Sequence, residues 1–201
     1  MRRTVVVLMT CLLPYLAGAQ VTSSVGLYAT KGEAKVMTET VAIADNHTGY
    51  AYTETSSTRS WYGQFFWEQK YWDTPIFLHA EYRGVMAGEW YENTAYFGMA
   101  WCCYNDVGFL AVEPLFMWKE AFGVGGQLSV VGEWNWKYVQ LQHYTDIWRT
   151  HKMQTPVDAY AEVRAYYKAC PRVYVGLTGN TFWSWGYAPT ANLYLALKFN
   201  F

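Results

Sequence analysis

The sequence predicts an all-β protein, a transmembrane antiparallel up-and-down β-barrel of about twelve strands in one domain. Three observations carry that expectation. Residues alternate in polarity with period two along most of the chain, the signature of strands with two unlike faces. Phe, Trp and Tyr make up 19% of the residues while 15% are charged and the mean hydropathy is −0.09, a balance foreign to soluble cores and to helical membrane proteins alike. Beyond Gln20 no apolar run reaches the ~20 residues of a spanning helix, so entry into a bilayer requires a closed barrel.

The first nineteen residues read as an address. Arg2 and Arg3 precede the apolar run Val5 to Leu16, and Ala17-Gly18-Ala19 forms a small-x-small cleavage site before Gln20. The expected division is therefore a cleaved signal peptide at 1–19 and an outer-membrane barrel at 20–201. Without Arg2 and Arg3 the 15 basic residues fall to 13 against 16 acidic ones, a net charge of −3 that offers no basic face to nucleic acid. The expected partners are outer-membrane lipid, the barrel-insertion machinery and a small-molecule solute.

Twelve strands are expected, at roughly 21–30, 34–44, 49–56, 60–71, 75–84, 93–104, 107–118, 123–134, 137–148, 157–168, 172–183 and 190–201. Glu39 and His143 break the pattern, falling on the apparent lipid face of their strands, which leaves the register there open. In the fifth strand His79, Glu81 and Arg83 alternate with Leu78, Ala80 and Tyr82. In the tenth, Asp158, Tyr160, Glu162, Arg164, Tyr166 and Lys168 oppose Val157, Ala159, Ala161, Val163, Ala165 and Tyr167. The eleventh sets Arg172, Tyr174 and Asn180 against Val173, Val175 and Leu177. The last is clearest: Leu193, Leu195, Leu197, Phe199 and Phe201 form one apolar face opposite Tyr194, Lys198 and Asn200. A soluble barrel would turn the apolar face inward. Charges of both signs at successive same-face positions, against an apolar face unbroken at mid-strand, favour a wet lumen and a lipid-facing exterior. Longer links at Gly84–Glu92, Arg149–Pro156 and Ser184–Pro189 are expected on the outer side, and short turns at Trp72–Thr74, Asn105-Asp106 and Ala169–Pro171 on the other.

Pro75-Ile76-Phe77-Leu78-His79-Ala80-Glu81-Tyr82-Arg83-Gly84 resembles the "P-F-x-L-H-x-E-Y-x-G" strand of an outer-membrane family known as domain of unknown function 5020, itself similar to the Tsx nucleoside-specific channels. Thr145-Asp146-Ile147-Trp148-Arg149 resembles that family's "A-D-F-W-R" strand and Thr38-Glu39-Thr40-Val41 its "T-T-T-V" strand. The resemblance runs loosely over the chain beyond residue 19. It implies a twelve-stranded monomer with a narrow channel for nucleosides or similar small solutes, and no nucleoside-contacting position is matched residue by residue.

The candidate solute path consists of Glu68, Lys70, His79, Glu81, Arg83, Asp146, Asp158, Tyr160, Glu162, Arg164 and Tyr174. His79, Glu81 and Arg83 at i, i+2 and i+4 place a carboxylate between two donors on one stripe, with Gln64, Glu68 and Lys70 on the preceding strand able to extend it. A rigidifying ion-pair ladder is the first reading of this stripe, and solute contact or gating the second. Inward rings such as Tyr160, Tyr166, Tyr174 and Phe182 fill the lumen and offer π-faces to a flat solute. Phe201, Phe199 and Leu197 form the expected assembly signal at the C-terminal strand. No cofactor is expected. Cys102, Cys103 and Cys170 are odd in number, and adjacent Cys102 and Cys103 point to opposite faces, so neither a disulfide scaffold nor a metal site is expected. An enzyme is not expected either, because Ser129 has no obvious histidine on an adjacent strand and His143 faces lipid. Asn46-His47-Thr48 matches a glycosylation acceptor and reads as a turn. The functional expectation is a small-solute channel, with a structural or adhesive barrel as the alternative.

Overall fold

The computed structural model describes residues 19–201; the expected signal peptide, Met1 to Gly18, lies outside the described residues apart from Ala19. Twelve strands follow one another: β1 Gln20–Thr30, β2 Glu33–Ala44, β3 His47–Ser56, β4 Ser60–Lys70, β5 Ile76–Ala87, β6 Trp90–Asn105, β7 Gly108–Lys119, β8 Gly123–Asn135, β9 Val139–Thr150, β10 Asp158–Cys170, β11 Val173–Ser184 and β12 Thr190–Asn200. Each pairs antiparallel with its sequence neighbour, and β1 pairs with β12 to close the barrel. Closure removes the edges on which unpaired N–H and C=O groups would meet lipid. The seam runs from Ser24↔Asn200 to Ala29↔Leu195, and the Phe201 N–H donates to the Ser23 carbonyl at 2.8 Å as its last rung.

The exterior is apolar where lipid would touch it. Leu27, Phe97, Leu128, Ile147, Leu177 and Leu195 are all exposed, Leu195 to 70%. Aromatic rings crowd both rims. Tyr71, Trp72, Tyr104, Trp136 and Tyr138 lie at the rim bearing the chain termini, and Trp90, Tyr91, Trp118, Trp185 and Tyr187 lie at the opposite one. An amphipathic ring sits best at the water–hydrocarbon boundary, so these are the two girdles of a membrane barrel. Trp61 fits the outer wall closely. A Cβ on Gly63 would lie 2.4 Å from its indole and one on Gly84 3.1 Å, so the paired glycines form the flat seat on which the ring rests.

Three expectations change. The link expected at Gly84–Glu92 is a two-residue turn, Gly88-Glu89, because the ladder continues through Gly84↔Asn93 to Ala87↔Trp90. Gly84 is a seat for Trp61 rather than a strand end. The contrast between long and short links is correspondingly muted, since the 71–75 connector at the terminal rim equals in length the 185–189 connector opposite. Glu39 faces the lumen, not lipid: its carboxylate receives hydrogen bonds from Tyr50 Oη (2.9 Å) and Lys198 Nζ (3.1 Å). The outward positions beside it are Thr38 and Thr40, whose hydroxyls meet Thr53 Oγ1 at 2.7 Å and Ser23 Oγ at 3.2 Å and so satisfy one another at the outer wall. His143 does stay on the outward face, with its Nε2 3.0 Å from the outward Thr145 Oγ1.

Candidate functional site

The lumen holds one cavity of about 1100 Å³, lined by residues from both rims: Asn135, Gln140 and Asn200 at the terminal end, Glu92, Lys119 and Thr190 at the other. Period-two geometry explains its chemistry. On each strand every second residue points in, so a stripe of polar residues in sequence becomes a column on the wall.

The β5 column is the most connected. Arg83 Nε and Nη2 donate to Glu81, and Nη1 crosses to Asp146 Oδ2 on β9, with three strands lying between β5 and β9 in the ring. Asp146 also accepts from Ser129 Oγ at 2.6 Å and from Tyr144 Oη. The Arg83 guanidinium lies 4.4 Å from the Tyr96 ring centroid. Gln64 Nε2 donates to Glu81 at 2.7 Å, while His79 contacts Glu68 through Nδ1 (3.0 Å) and Glu81 through Nε2 (3.2 Å). The stripe thus forms a chain of ion pairs and hydrogen bonds along the wall, which Gln64 and Glu68 extend. Lys70 does not: it sits at the end of β4 and does not line the cavity.

A second cluster occupies the opposite wall. Arg164 Nε donates to Glu162, which also accepts from Tyr160 Oη at 2.6 Å. The Arg164 guanidinium lies 5.5 Å from the Tyr52 ring centroid on β3, with four strands lying between β10 and β3 in the ring. Tyr28 and Tyr166 join hydroxyl to hydroxyl across from β1 to β10. A Cβ on Gly26 would stand 2.5 Å from the Tyr28 ring, so that glycine lets the ring lie against the wall and reach its partner. Tyr174 packs beside this group. Asp158 does not line the cavity. It accepts from Thr155 Oγ1 (3.0 Å) and Ser184 Oγ (2.7 Å), and thereby pins the longest connector, 151–157.

Sequence reasoning missed three lumenal groups: Glu39, misread by its apolar companions Met37 and Val41; Ser129, locked between Gln127 and Asp146; and Glu113 on β7. Glu113 is 7% exposed and takes part in no hydrogen bond among the described residues. One ligand-type atom each from Glu68, His79 and Glu113 lie within 4.8 Å of one another. β7 is apolar on both faces around Glu113, so polarity alone gives no face assignment there. The thiols are unpaired: Cys102 is buried on the lumen side, Cys103 and Cys170 are exposed, and β6 and β10 are separated by three strands.

No protein-family model and no curated protein sequence matches the chain, so the Tsx-type resemblance rests on its motifs alone. Solved structures do match in fold. The KdgM porin in complex with disordered oligogalacturonate superposes with a TM-score of 0.60 at 9% identity, over 90% of this chain and 99% of that one. The NanC porin gives 0.59 at 8% identity, over 90% and 99%. At such identities the likeness concerns architecture, and the architecture this chain shares with them is the closed twelve-strand barrel of outer-membrane porins.

Proposed function

We propose that the protein is an outer-membrane channel that passes small polar solutes, with nucleoside-like molecules as the class to test first. The observation that carries this reading is the cavity reaching from rim to rim inside a wall whose other face suits lipid. Solved structures that share this fold include porins, one of them in complex with an oligogalacturonate. The side chains of the lumen favour a small solute of low net charge. Carboxylates in the lining outnumber its lysines and arginines, several of them held in ion pairs, so an anionic solute is disfavoured, and tyrosines on the Arg164 side present rings and hydroxyls. A flat solute could stack on such rings for about 1–3 kcal/mol per base by analogy with single-strand binding. Binding of that order leaves release fast, as conduction requires.

The contacts that cross the lumen, Arg83 to Asp146 and Arg164 over Tyr52, favour a second reading in which the barrel is structural and does not conduct. Liposome swelling separates the two. Proteoliposomes in an isotonic nucleoside solution should swell faster than empty ones, and faster than in an isotonic trisaccharide. Swelling indistinguishable from empty liposomes for every solute would leave the structural barrel as the function.

A further inference from the structure

We infer that Glu68, His79 and Glu113 form a divalent-cation site in the lumen wall, of the nitrogen-and-carboxylate kind that suits Zn2+. The inference is independent of whether the lumen conducts. Three strands supply the ligands, β4, β5 and β7, and the fold brings them together by leaving β6 low: Gly98 pairs with His79, and fully buried Ala100 follows two residues later on the same face. With no bulky β6 side chain between them, Glu113 reaches over to the His79 column. Pro114, which lacks an N–H, stands at the gap in the β6–β7 ladder between Gly98↔Leu115 and Trp101↔Val112, directly beside Glu113.

The three ligand-type atoms lie within 4.8 Å of one another, and Glu68 Oε1 is already 3.0 Å from His79 Nδ1. Ligands about 2.0–2.2 Å from a tetrahedral ion stand about 3.3–3.6 Å apart, so only a modest adjustment of side chains closes the site. The outer shell is also in place. His79 Nε2 faces Glu81, which is held in turn by Arg83 and Gln64, the carboxylate–histidine arrangement that fixes the tautomer of a metal-bound imidazole. Glu113 supplies a second, independent sign. It is more than nine-tenths buried, points into the cluster and receives no donor among the described residues. A buried carboxylate left so is costly. Charge points the same way: Glu68, Glu81 and Glu113 share this wall, and among the described residues the lysine or arginine within ion-pair reach of them is Arg83 alone, which also pairs with Asp146 across the lumen. A divalent cation would balance that excess. With three protein ligands, a fourth position remains open to water or to a passing solute, as in metal sites that bind substrate.

The test is calorimetric titration of Zn2+ into the refolded barrel in detergent, in a Cys103→Ser/Cys170→Ser background that removes the two exposed thiols. One saturable site per barrel is expected. Glu113→Gln, nearly isosteric and without a hydrogen bond to lose, should weaken it at least tenfold, as should His79→Gln. Glu162→Gln, a lumenal carboxylate outside the cluster, should leave it unchanged. A heat-dependent shift in electrophoretic mobility reports that each variant is a folded barrel. Absence of saturable Zn2+ binding in the folded parent, or equal affinity in the Glu113→Gln variant, would overturn the proposal.

Discussion

Arg83 is the residue on which most of the lumen converges. It neutralises Glu81 on its own strand and Asp146 across the cavity while its guanidinium lies over Tyr96. Replacing it with alanine leaves buried Asp146 without a cation and Glu81 with only His79 and Gln64 beside it. Breaking a buried pair from one side costs about 3–5 kcal/mol in a dry core; lumenal water lowers this, and Arg83→Ala should reduce stability to urea by up to about 3 kcal/mol. Leu195→Ala, at the lipid face, should cost about 1 kcal/mol or less, since its side chain exchanges one apolar surrounding for another. A urea midpoint for Arg83→Ala equal to that of the parent would show that the ladder is not a structural tie. Gly26→Leu gives a second probe at this scale, because its side chain would occupy the place of the Tyr28 ring and separate Tyr28 from Tyr166. Overpacking of that kind costs about 1–3 kcal/mol, read from the same urea transition. The His79–Glu81–Arg83 stripe was legible because charges at i, i+2 and i+4 share one face of a strand. Glu113 was not, because nothing in its own strand distinguishes an inward carboxylate from an interruption of an apolar run; its role depends on Gly98 and Ala100 of β6.

At the scale of strands, alternation located all twelve elements because a lipid-facing side and a water-facing side leave almost no freedom in polarity. It failed where the two faces converge in character. Met37, Glu39 and Val41 point inward while Thr38 and Thr40 point outward, so polarity assigned β2 the wrong way round. It also ended β5 too early, since Gly84 reads as a breaker in sequence and serves as a seat for Trp61 in space. The closing strand makes two expectations concrete. Phe201 supplies the last rung of the β1–β12 seam and prolongs an apolar face formed by Leu197 and Phe199. Its deletion should lower the outer-membrane population several-fold and leave protein in the periplasm, as measured by fractionation; normal insertion would speak against this strand as the assembly signal. The seam register can be read directly by cross-linking. Leu27→Cys with Leu197→Cys, facing partners on β1 and β12, should form a disulfide in a background free of other cysteines, whereas Leu27→Cys with Leu193→Cys should not. The reverse pattern would place the seam in another register.

For the molecule as a whole, the exterior, the girdles and the lumen are three consequences of one constraint: every backbone polar group must find its partner inside the sheet, and every side chain must then face either lipid or water. Whether the barrel conducts depends on how far its inward side chains fill it, which composition does not state and which the contacts crossing from β5 to β9 and from β10 to β3 make decisive. Those contacts predict a narrow path rather than a wide pore. The most direct test is single-channel recording from the purified, folded protein in a planar bilayer. Small, discrete conductance steps are expected, reduced by millimolar nucleoside and enlarged by Arg83→Ala, which removes the bridge across the lumen. A folded barrel that inserts and carries no current, in the parent and in Arg83→Ala alike, would contradict the channel account.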